Sequence, residues 1–329
     1  MKYLLSHILH SLRIQWTGSA SALGTGLFAY VVMTLIVKDD IHWLSYSTLL
    51  DPWCWLLSCL CTLISFLHPD YRYMLAVLPC LGMLIYSVLF FPQTVTLLHP
   101  STPSSPSDSN FTLLTWNILG GRANQDCLLD ALQTHQPDVA MFQEAGGFTM
   151  EEAVAYRYQT RSRNLVILSK FQIVESLEFG KHPLNGHDAG LQAQLRFEGV
   201  DRPITLINTY LPKPFIVPSK LIYKADDRID GADRYIQAIK QSTGAVILAG
   251  DHNMGMRAPE YYQLNQYLLD TWAEKGRGLG FTANQHLLIP PLLRVDYIWH
   301  TADIHSRWIE VIQSDCSDHF AVMAGFHIE

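Results

Sequence analysis

The sequence predicts an α/β domain that is preceded by three transmembrane helices. Two observations predict this architecture. The first hundred residues contain three long apolar stretches, whereas the remainder alternates strand-like and helix-like segments. The charge divides in the same way, because the first hundred residues hold four basic and four acidic side chains and the net charge of −7 lies on the rest.

The three apolar stretches are long enough, or nearly so, to cross a bilayer. They span 19–37, 46–67 and 73–91, against a requirement of about 20 apolar residues. Aromatic side chains lie near their ends, as expected at a membrane interface: Trp16, Trp43, Trp53, Tyr71 and Tyr73. Core helices of a soluble domain and a cleaved signal peptide are the alternatives. Three such stretches in succession, the first too long for a signal peptide, favour membrane spans.

The basic residues near these spans predict an orientation. Lys2 and Arg13 precede the first span, Lys38 is accompanied by two aspartates, and Arg72 lies in the second loop. Counting Lys and Arg alone, the N-terminus is inside and the chain after the third span is extracytoplasmic.

A segment rich in Pro and Ser, HPSTPSSPSDSN, follows the apolar part at 99–110. Its composition is typical of an extended linker. The expected organisation is therefore a membrane domain at 1–98, the linker at 99–110 and a second domain at 111–329.

The second domain begins with a strand, FTLLTWNI, and a helix, QDCLLDALQTH, that Pro137 ends. Short apolar or alternating runs then predict further strands, and one amphipathic segment predicts a second helix at 232–241. In chain order the predicted strands span 111–118, 138–144, 164–170, 189–197, 203–211, 245–250, 294–300 and 320–328.

The net charge and the cysteines exclude no class of protein outright, but they make some classes less expected. A net charge of −7 without any basic run lowers the expectation of non-specific DNA binding, although a local basic patch is compatible with it. Cys54, Cys59, Cys61 and Cys80 lie in apolar segments, where cysteine behaves as a small hydrophobe. The cysteines do not settle the redox compartment.

Polar residues collect at the ends of the predicted strands. They occur as Trp116-Asn117, Gln143-Glu144, Asn208-Thr209-Tyr210, Asp251-His252-Asn253, Asp296 and Ser317-Asp318-His319. Stacked sheets bring such ends together along one edge, where several carboxylates would repel one another. A hard divalent cation such as Mg²⁺ removes that repulsion by binding carboxylate and amide oxygens. The pattern therefore predicts a metal-dependent site.

Six short motifs resemble those of the endonuclease/exonuclease/phosphatase family, in the family's order. They read TWNI, FQE, INTYL, AGDHN, RVDYI and SDHF, and they cover roughly 110–329. Each motif alone is weak, but six in order are specific. With its apolar N-terminus, the chain looks like uncharacterised bacterial members of the family that carry transmembrane helices. A bacterial inner membrane is the implied location.

The resemblance implies a four-layer α/β sandwich of two mixed sheets flanked by helices, and phosphoester hydrolysis with Mg²⁺ or Mn²⁺. The residues that resemble the family's metal ligands are Glu144, Asn117 and Asp318. The residues that resemble its catalytic and phosphate-contacting groups are His319, Asp296, Asp251, Asn253 and Tyr210. Sequence leaves open whether His319 is a base or a charged phosphate clamp, and whether one metal or two are bound.

Three positions depart from the family's common pattern. His252 stands where an aromatic residue is frequent, and we expect it to be a packing variant. Tyr210 stands where many members have histidine. Leu119 stands where some nucleases have a second carboxylate, which weighs against a two-metal scheme.

The leading hypothesis is a membrane-anchored phosphoesterase whose partners are the bilayer and a phosphoester substrate. The substrate is either nucleic acid, which the family favours, or a phospholipid headgroup, which the anchor and the acidic domain favour. The alternative is a non-catalytic membrane scaffold with a phosphatase-like domain. Transport is the weakest reading, since Asp51 is the only ionisable acid or base of the three predicted spans.

Overall fold

The computed structural model describes residues 2–37, 50–89, 109–121, 125–149, 153–181, 188–200, 202–211, 215–217, 222–224, 226–283 and 293–328. The chain divides into two compact units, Met1–Thr94 and Val95–Glu329. The predicted linker at 99–110 lies almost wholly outside the described residues and stays a prediction.

The described part of the first unit contains three helices: α1 (Lys2–Val37), α2 (Asp51–Ser65) and α3 (Arg72–Leu89). Two of them, α1 and α3, are long and apolar enough to cross a membrane. The predicted span at 46–67 contains α2, whose 15 residues, at a rise of about 1.5 Å each, are shorter than the hydrocarbon core. Residues 46–49 lie outside the described residues, so a full span there stays a prediction. Helix α1 also begins well before residue 19.

Helices α1 and α3 approach closely where a glycine contacts a proline and a hydrogen bond joins the two helices. Pro79 lies inside α3 and has no N–H to donate to the carbonyl of Leu75. The hydroxyl of Ser21 in α1 donates to that carbonyl at 2.6 Å. Gly24 lies against the Pro79 ring, where a Cβ would clash. A neighbouring helix therefore satisfies the backbone group that proline frees, as apolar surroundings require.

The second unit is built from two six-stranded sheets, counted over the described residues. The strands in chain order are β1 (Phe111–Asn117), β2 (Val139–Gln143), β3 (Tyr158–Arg161), β4 (Val166–Ser169), β5 (Gln172–Lys181), β6 (Asp188–Arg196), β7 (Ile204–Tyr210), β8 (Phe215–Val217), β9 (Ile222–Lys224), β10 (Val246–Asp251), β11 (Leu269–Asp270), β12 (Asp296–His300), β13 (His305–Ile312) and β14 (Ala321–His327). The helices are α4 (Gln125–His135), α5 (Asp226–Gln241), α6 (Pro259–Leu264) and α7 (Thr271–Lys275).

The first sheet has the order β13-β14-β1-β2-β4-β3 and the second has the order β11-β12-β10-β7-β6-β5. Strands β8 and β9 form a separate two-stranded sheet. Each large sheet is mixed, because β1 and β2 are parallel in one, β7 and β10 are parallel in the other, and the remaining neighbours are antiparallel.

Three clusters of buried apolar side chains show how the sheets and helices of the second unit are layered. One cluster fills the space between the sheets and includes Leu113, Met141, Leu206 and Ile298. In the second cluster, side chains of α4 pack on the outer face of the first sheet. In the third cluster, side chains of α5 and α6 pack on the outer face of the second sheet. The predicted sandwich of two mixed sheets with helices is confirmed.

All eight predicted strands are present, with ends shifted by a few residues. Strand β5 was missed because it is an edge strand whose side chains are largely exposed, so it carries no apolar run. The sequence also missed β3, β8, β9, β11, β13, α6 and α7. Helix α5 begins at Asp226, earlier than the predicted start at 232. The prediction missed the first turns because they are polar and include Gly231, so they carry little apolar periodicity.

A buried amide bridges the two sheets. The Nδ2 group of Asn208 in β7 donates to the carbonyls of Phe142 (3.0 Å) and Val166 (2.9 Å) in the first sheet. Its Oδ1 accepts from Nε2 of Gln143 at 2.7 Å. These bonds satisfy polar groups that would otherwise be unpaired inside the sandwich.

One disulfide joins Cys127 of α4 to Cys316, which lies just before β14. The two residues are 189 positions apart, so the bond links the first helix of the second unit to the segment 313–320. Ser317, Asp318 and His319 lie in that segment.

We expect Asn208→Leu to lower the free energy of unfolding by about 2–4 kcal/mol, because two buried carbonyls and the amide of Gln143 lose their partner. Thermal unfolding of the detergent-solubilised chain, followed by intrinsic fluorescence, measures this loss. Gln172→Leu, which changes an exposed amide on β5, is the matched control and should alter stability by less than about 0.5 kcal/mol. Equal stability of the two variants would contradict a bridging role for Asn208.

Candidate active site

The strand pairing places the predicted site residues at one edge of the sandwich. Asn117 pairs in parallel with Gln143 at the ends of β1 and β2. In the second sheet Asp251 pairs in parallel with Tyr210 and antiparallel with Asp296. The ends of four strands, β1, β2, β7 and β10, and the start of a fifth, β12, therefore lie at this edge.

Asn117 connects two carboxylates across the sheets. Its Nδ2 donates to Oε1 of Glu144 at 3.1 Å and to Oδ2 of Asp251 at 2.9 Å. Tyr210 donates its hydroxyl to the same Glu144 oxygen at 2.8 Å. Burial raises the pKa of Tyr210 far above its usual range, and the charge of Glu144 raises it further. The phenol therefore stays protonated and acts as a donor.

Asn253, two residues after Asp251, holds the Asp251 carboxylate with two hydrogen bonds. The backbone N–H of Asn253 donates to Oδ1 at 2.9 Å, and Nδ2 of Asn253 donates to Oδ2 at 3.0 Å. The same Nδ2 group also donates to the carbonyl of Leu211 at 2.8 Å. With Asn117, these donors fix the orientation of a fully buried carboxylate.

His319 lies between two aspartates. Its Nδ1 is 2.9 Å from Oδ2 of Asp296, and its Nε2 is 4.0 Å from Oδ2 of Asp251. Burial lowers the pKa of His319, but the charges of Asp296 and Asp251 outweigh burial and raise the pKa to about 9. The imidazole is therefore positively charged at neutral pH, with Nδ1–H donated to Asp296.

The segment that carries His319 is fixed from the first sheet. Ser317 donates its hydroxyl to the carbonyl of Asn117 at 2.6 Å, and the indole N–H of Trp116 donates to the carbonyl of His319 at 2.8 Å. Asp318 lies between these two anchored residues and is half-buried. Its negative charge contributes to the raised pKa of both His319 and Tyr210.

Backbone strain is concentrated at this edge. Of the four non-glycine residues with positive φ in the described chain, three lie here: Leu119, Glu144 and Asn253. A left-handed backbone is unfavourable for such side chains, and persists where surrounding bonds over-determine it. Gly250 has φ of 149°, and a Cβ there would clash with the backbone of Thr209 in the neighbouring strand.

His252 points away from this edge into an aromatic cluster. It is fully buried, packs edge-on against Tyr297 with ring centroids 5.3 Å apart, and has Nδ1 2.9 Å from the carbonyl of Gly250. That bond requires a proton on Nδ1. Nε2 has no hydrogen-bond partner among the described residues. This placement agrees with the expected packing variant.

The donor set fits a hard divalent cation. Asp251, Asp296 and His319 have possible ligand atoms within 4.8 Å of one another. A charged His319 has no lone pair to offer a metal, so the carboxylates and the amide oxygen of Asn117 are the groups that suit a hard cation here. The charges of Glu144, Asp251 and Asp318 all act on Tyr210, which places these three carboxylates around one phenol. Buried carboxylates that converge in this way are costly unless a cation compensates them.

The structure brings all eight predicted residues to the same edge and adds two that sequence reasoning missed. Thr282 donates its hydroxyl to Oδ2 of Asp296, in a short bond, and so helps to orient the acceptor of His319. Arg228, near the start of α5, donates to the backbone carbonyl of Asn253. Neither residue lies at the end of a predicted strand, so no sequence pattern indicates them.

Residues 114–319 match the model of the endonuclease/exonuclease/phosphatase family. The match covers more than half of the chain, so the chain belongs to this family. No curated protein matches the chain.

Solved structures share the fold at low sequence identity. An endonuclease/exonuclease/phosphatase from Bacteroides vulgatus is 15% identical with a TM-score of 0.56, over 67% of this chain and 99% of that one. D. rerio TDP2 in complex with a single-strand DNA product is 20% identical with a TM-score of 0.53, over 66% and 98%. An AP endonuclease from Archaeoglobus fulgidus is 16% identical with a TM-score of 0.53, over 66% and 100%.

We expect His252→Phe to remove an acid-dependent loss of stability. Burial lowers the pKa of His252 to about 4, whereas an unfolded histidine has a pKa near 6.5. As the pH falls from about 6.5 to 4, the unfolded chain takes up a proton that the folded chain does not, so the wild type loses up to about 3 kcal/mol of stability.

Thermal unfolding at pH 7 and at pH 4.5 measures this effect as the difference between wild type and variant. The stability advantage of His252→Phe should grow on acidification, since phenylalanine has no proton to bind. His305→Phe, at an exposed position of β13, is the control and should leave the pH dependence unchanged. An advantage that is the same at both pH values would contradict a neutral, buried His252.

Proposed function

We propose that this chain is a membrane-anchored, divalent-metal-dependent phosphodiesterase. The observation that carries the proposal is the convergence of His319, its partner Asp296 and Asp251 at the edge where Glu144 and Asp318 also lie. A non-catalytic scaffold would not need a buried, charged imidazole between two buried aspartates, since such a group is costly to desolvate.

The residues divide into three roles in an in-line attack of water on the phosphorus atom. The new P–O bond forms opposite the ester P–O bond that breaks, and the released alkoxide oxygen takes up a proton from solvent. His319, charged and held by Asp296, clamps a phosphate oxygen and stabilises the negative charge of the transition state. Asp251 orients the attacking water and accepts its proton. Asn253 and Tyr210 lie beside the phosphate, where their donors hold the carboxylates of Asp251 and Glu144 in place.

Glu144, Asp318 and the amide oxygen of Asn117 are the proposed ligands of Mg²⁺ or Mn²⁺. The amide oxygen of Asn117 accepts one backbone N–H, from Leu119, and a carbonyl oxygen has a second lone pair. When bound, the ion supplies positive charge that neutralises the phosphate oxygens.

The substrate is a phosphodiester of a nucleic acid or of a phospholipid. The DNA complex of TDP2, a protein of the same fold, supports nucleic acid. The apolar helices α1 and α3 and the net charge of −7 support a lipid, because a strongly acidic chain is repelled by DNA.

We further propose that the phosphodiesterase domain is extracytoplasmic. The basic residues before α1 support this orientation. The disulfide between Cys127 and Cys316 supports it independently, because such bonds persist in oxidising compartments and are rare in the cytosol.

We expect the full-length protein in detergent, with Mg²⁺, to hydrolyse either plasmid DNA or phospholipid vesicles, offered in parallel. His319→Ala should lower the rate by about 10²- to 10⁴-fold, since the phosphate clamp is lost. His305→Ala, an exposed histidine of the same domain, should retain the wild-type rate. Nicked plasmid or released headgroup identifies the substrate; no hydrolysis of either by the wild type would favour the scaffold.

We expect four of the six cysteines to react with a polyethylene-glycol maleimide when the protein is denatured without reduction. All six should react after reduction, because Cys127 and Cys316 are then released. Mass shifts on a gel count the labels. The Cys127→Ser/Cys316→Ser variant should show four labels in both conditions. Six labels on the unreduced wild type would contradict an extracytoplasmic domain.

A further inference from the structure

A buried arginine lies directly behind the turn that follows Asp251. Arg228 of α5 forms an ion pair with Glu260 of α6, with Nε 2.6 Å from Oε1. The side chains of Arg228 and Glu260 are 4% and 0% exposed. The ion pair with Glu260 holds the guanidinium of Arg228 inside the domain, next to the turn.

The guanidinium also binds the main chain of the site. Nη1 of Arg228 donates to the backbone carbonyl of Asn253 at 3.0 Å. Asn253 has a left-handed backbone, with φ of 46°, a conformation that is uncommon outside glycine but that asparagine tolerates better than most residues. The bond from Arg228 is one of those that hold this conformation.

The conformation of Asn253 determines how Asp251 is presented. Both the N–H and the side-chain amide of Asn253 donate to the carboxylate of Asp251. If the turn relaxed towards an ordinary backbone conformation, both donors would move. Asn117, which donates to the same carboxylate from the opposite sheet, would keep its position.

We propose that Arg228 is a positioning residue for the hydrolysis of phosphodiesters. It acts through the Asn253 carbonyl, which fixes the amide that orients Asp251. This inference rests on the proposed function, in which Asp251 orients the attacking water. It assigns the ion pair with Glu260 a role in holding the guanidinium in place rather than in binding phosphate.

The test removes the hydrogen bond without leaving a buried charge. Arg228→Met alone would strand the carboxylate of Glu260, so the informative variant is Arg228→Met/Glu260→Leu, which replaces the pair by apolar side chains and is close to neutral for stability. The matched control is Arg202→Met. Arg202 also donates to a backbone carbonyl at 3.0 Å, that of Thr243, but it lies before the first residue of β7, at the opposite end from Tyr210.

Steady-state hydrolysis of bis(4-nitrophenyl) phosphate by the full-length protein in Mg²⁺ gives kcat and KM, and thermal unfolding reports folding. We expect the double variant to keep its unfolding temperature within a few degrees and its KM within about threefold, while kcat falls about 10- to 100-fold, because small displacements of reacting groups are costly. The Arg202→Met variant should match the wild type in all three quantities.

The outcomes separate this inference from the proposed function. Wild-type hydrolysis with an unchanged kcat in a folded double variant would overturn the positioning role alone. A fall in kcat matched by Arg202→Met would also overturn it. Absence of hydrolysis by the wild type would overturn both the positioning role and the phosphodiesterase assignment.

Discussion

The side-chain amide of Asn117 joins the two sheets at the edge where the functional groups meet. It lies at the end of β1 in one sheet and donates to Asp251 of the other, while it also donates to Glu144. Strand pairing fixes positions only within each sheet, so the separation of groups across the sheets depends on bonds of this kind. Asn208 makes a corresponding connection deeper in the sandwich. Two amides thus determine how carboxylates from separate sheets face one another.

Such an arrangement concentrates negative charge in a region with little water. The structure meets this cost in several ways: amide and phenol donors point at Glu144 and Asp251, and a charged His319 lies between Asp251 and Asp296. The donors orient the carboxylates without neutralising them. Since only opposite charge offsets the remaining repulsion, the same geometry that holds the groups also favours a bound cation.

The sequence predicted that the eight site residues lie together, because each belongs to a short polar motif at or beside a strand end and the six motifs resemble those of one family. Asn117, Tyr210 and Asp251 lie at the ends of parallel strands, whereas Asp296, Asp318 and His319 lie at or just before the starts of antiparallel strands. It could not predict Thr282 or Arg228, whose roles depend on partners 14 and 25 positions away in the chain. Asn208 looked like another strand-end polar residue, but it is buried and satisfies backbone groups of the facing sheet. Edge strands such as β5 were missed because exposure removes the apolar pattern, and an apolar composition does not fix the bounds of a helix such as α2.

The position of β14 has a consequence for biosynthesis. Strand β14 lies between β13 and β1 in the first sheet, so the strand made last pairs with the strand made first. Trp116 meets its partner His319 only after 203 further residues have been added. Until then one side of β1 is an unpaired, apolar edge, which is a template for aggregation. A chain interrupted before β14 would therefore yield a misfolded product that quality control removes, and not a weaker version of the complete domain.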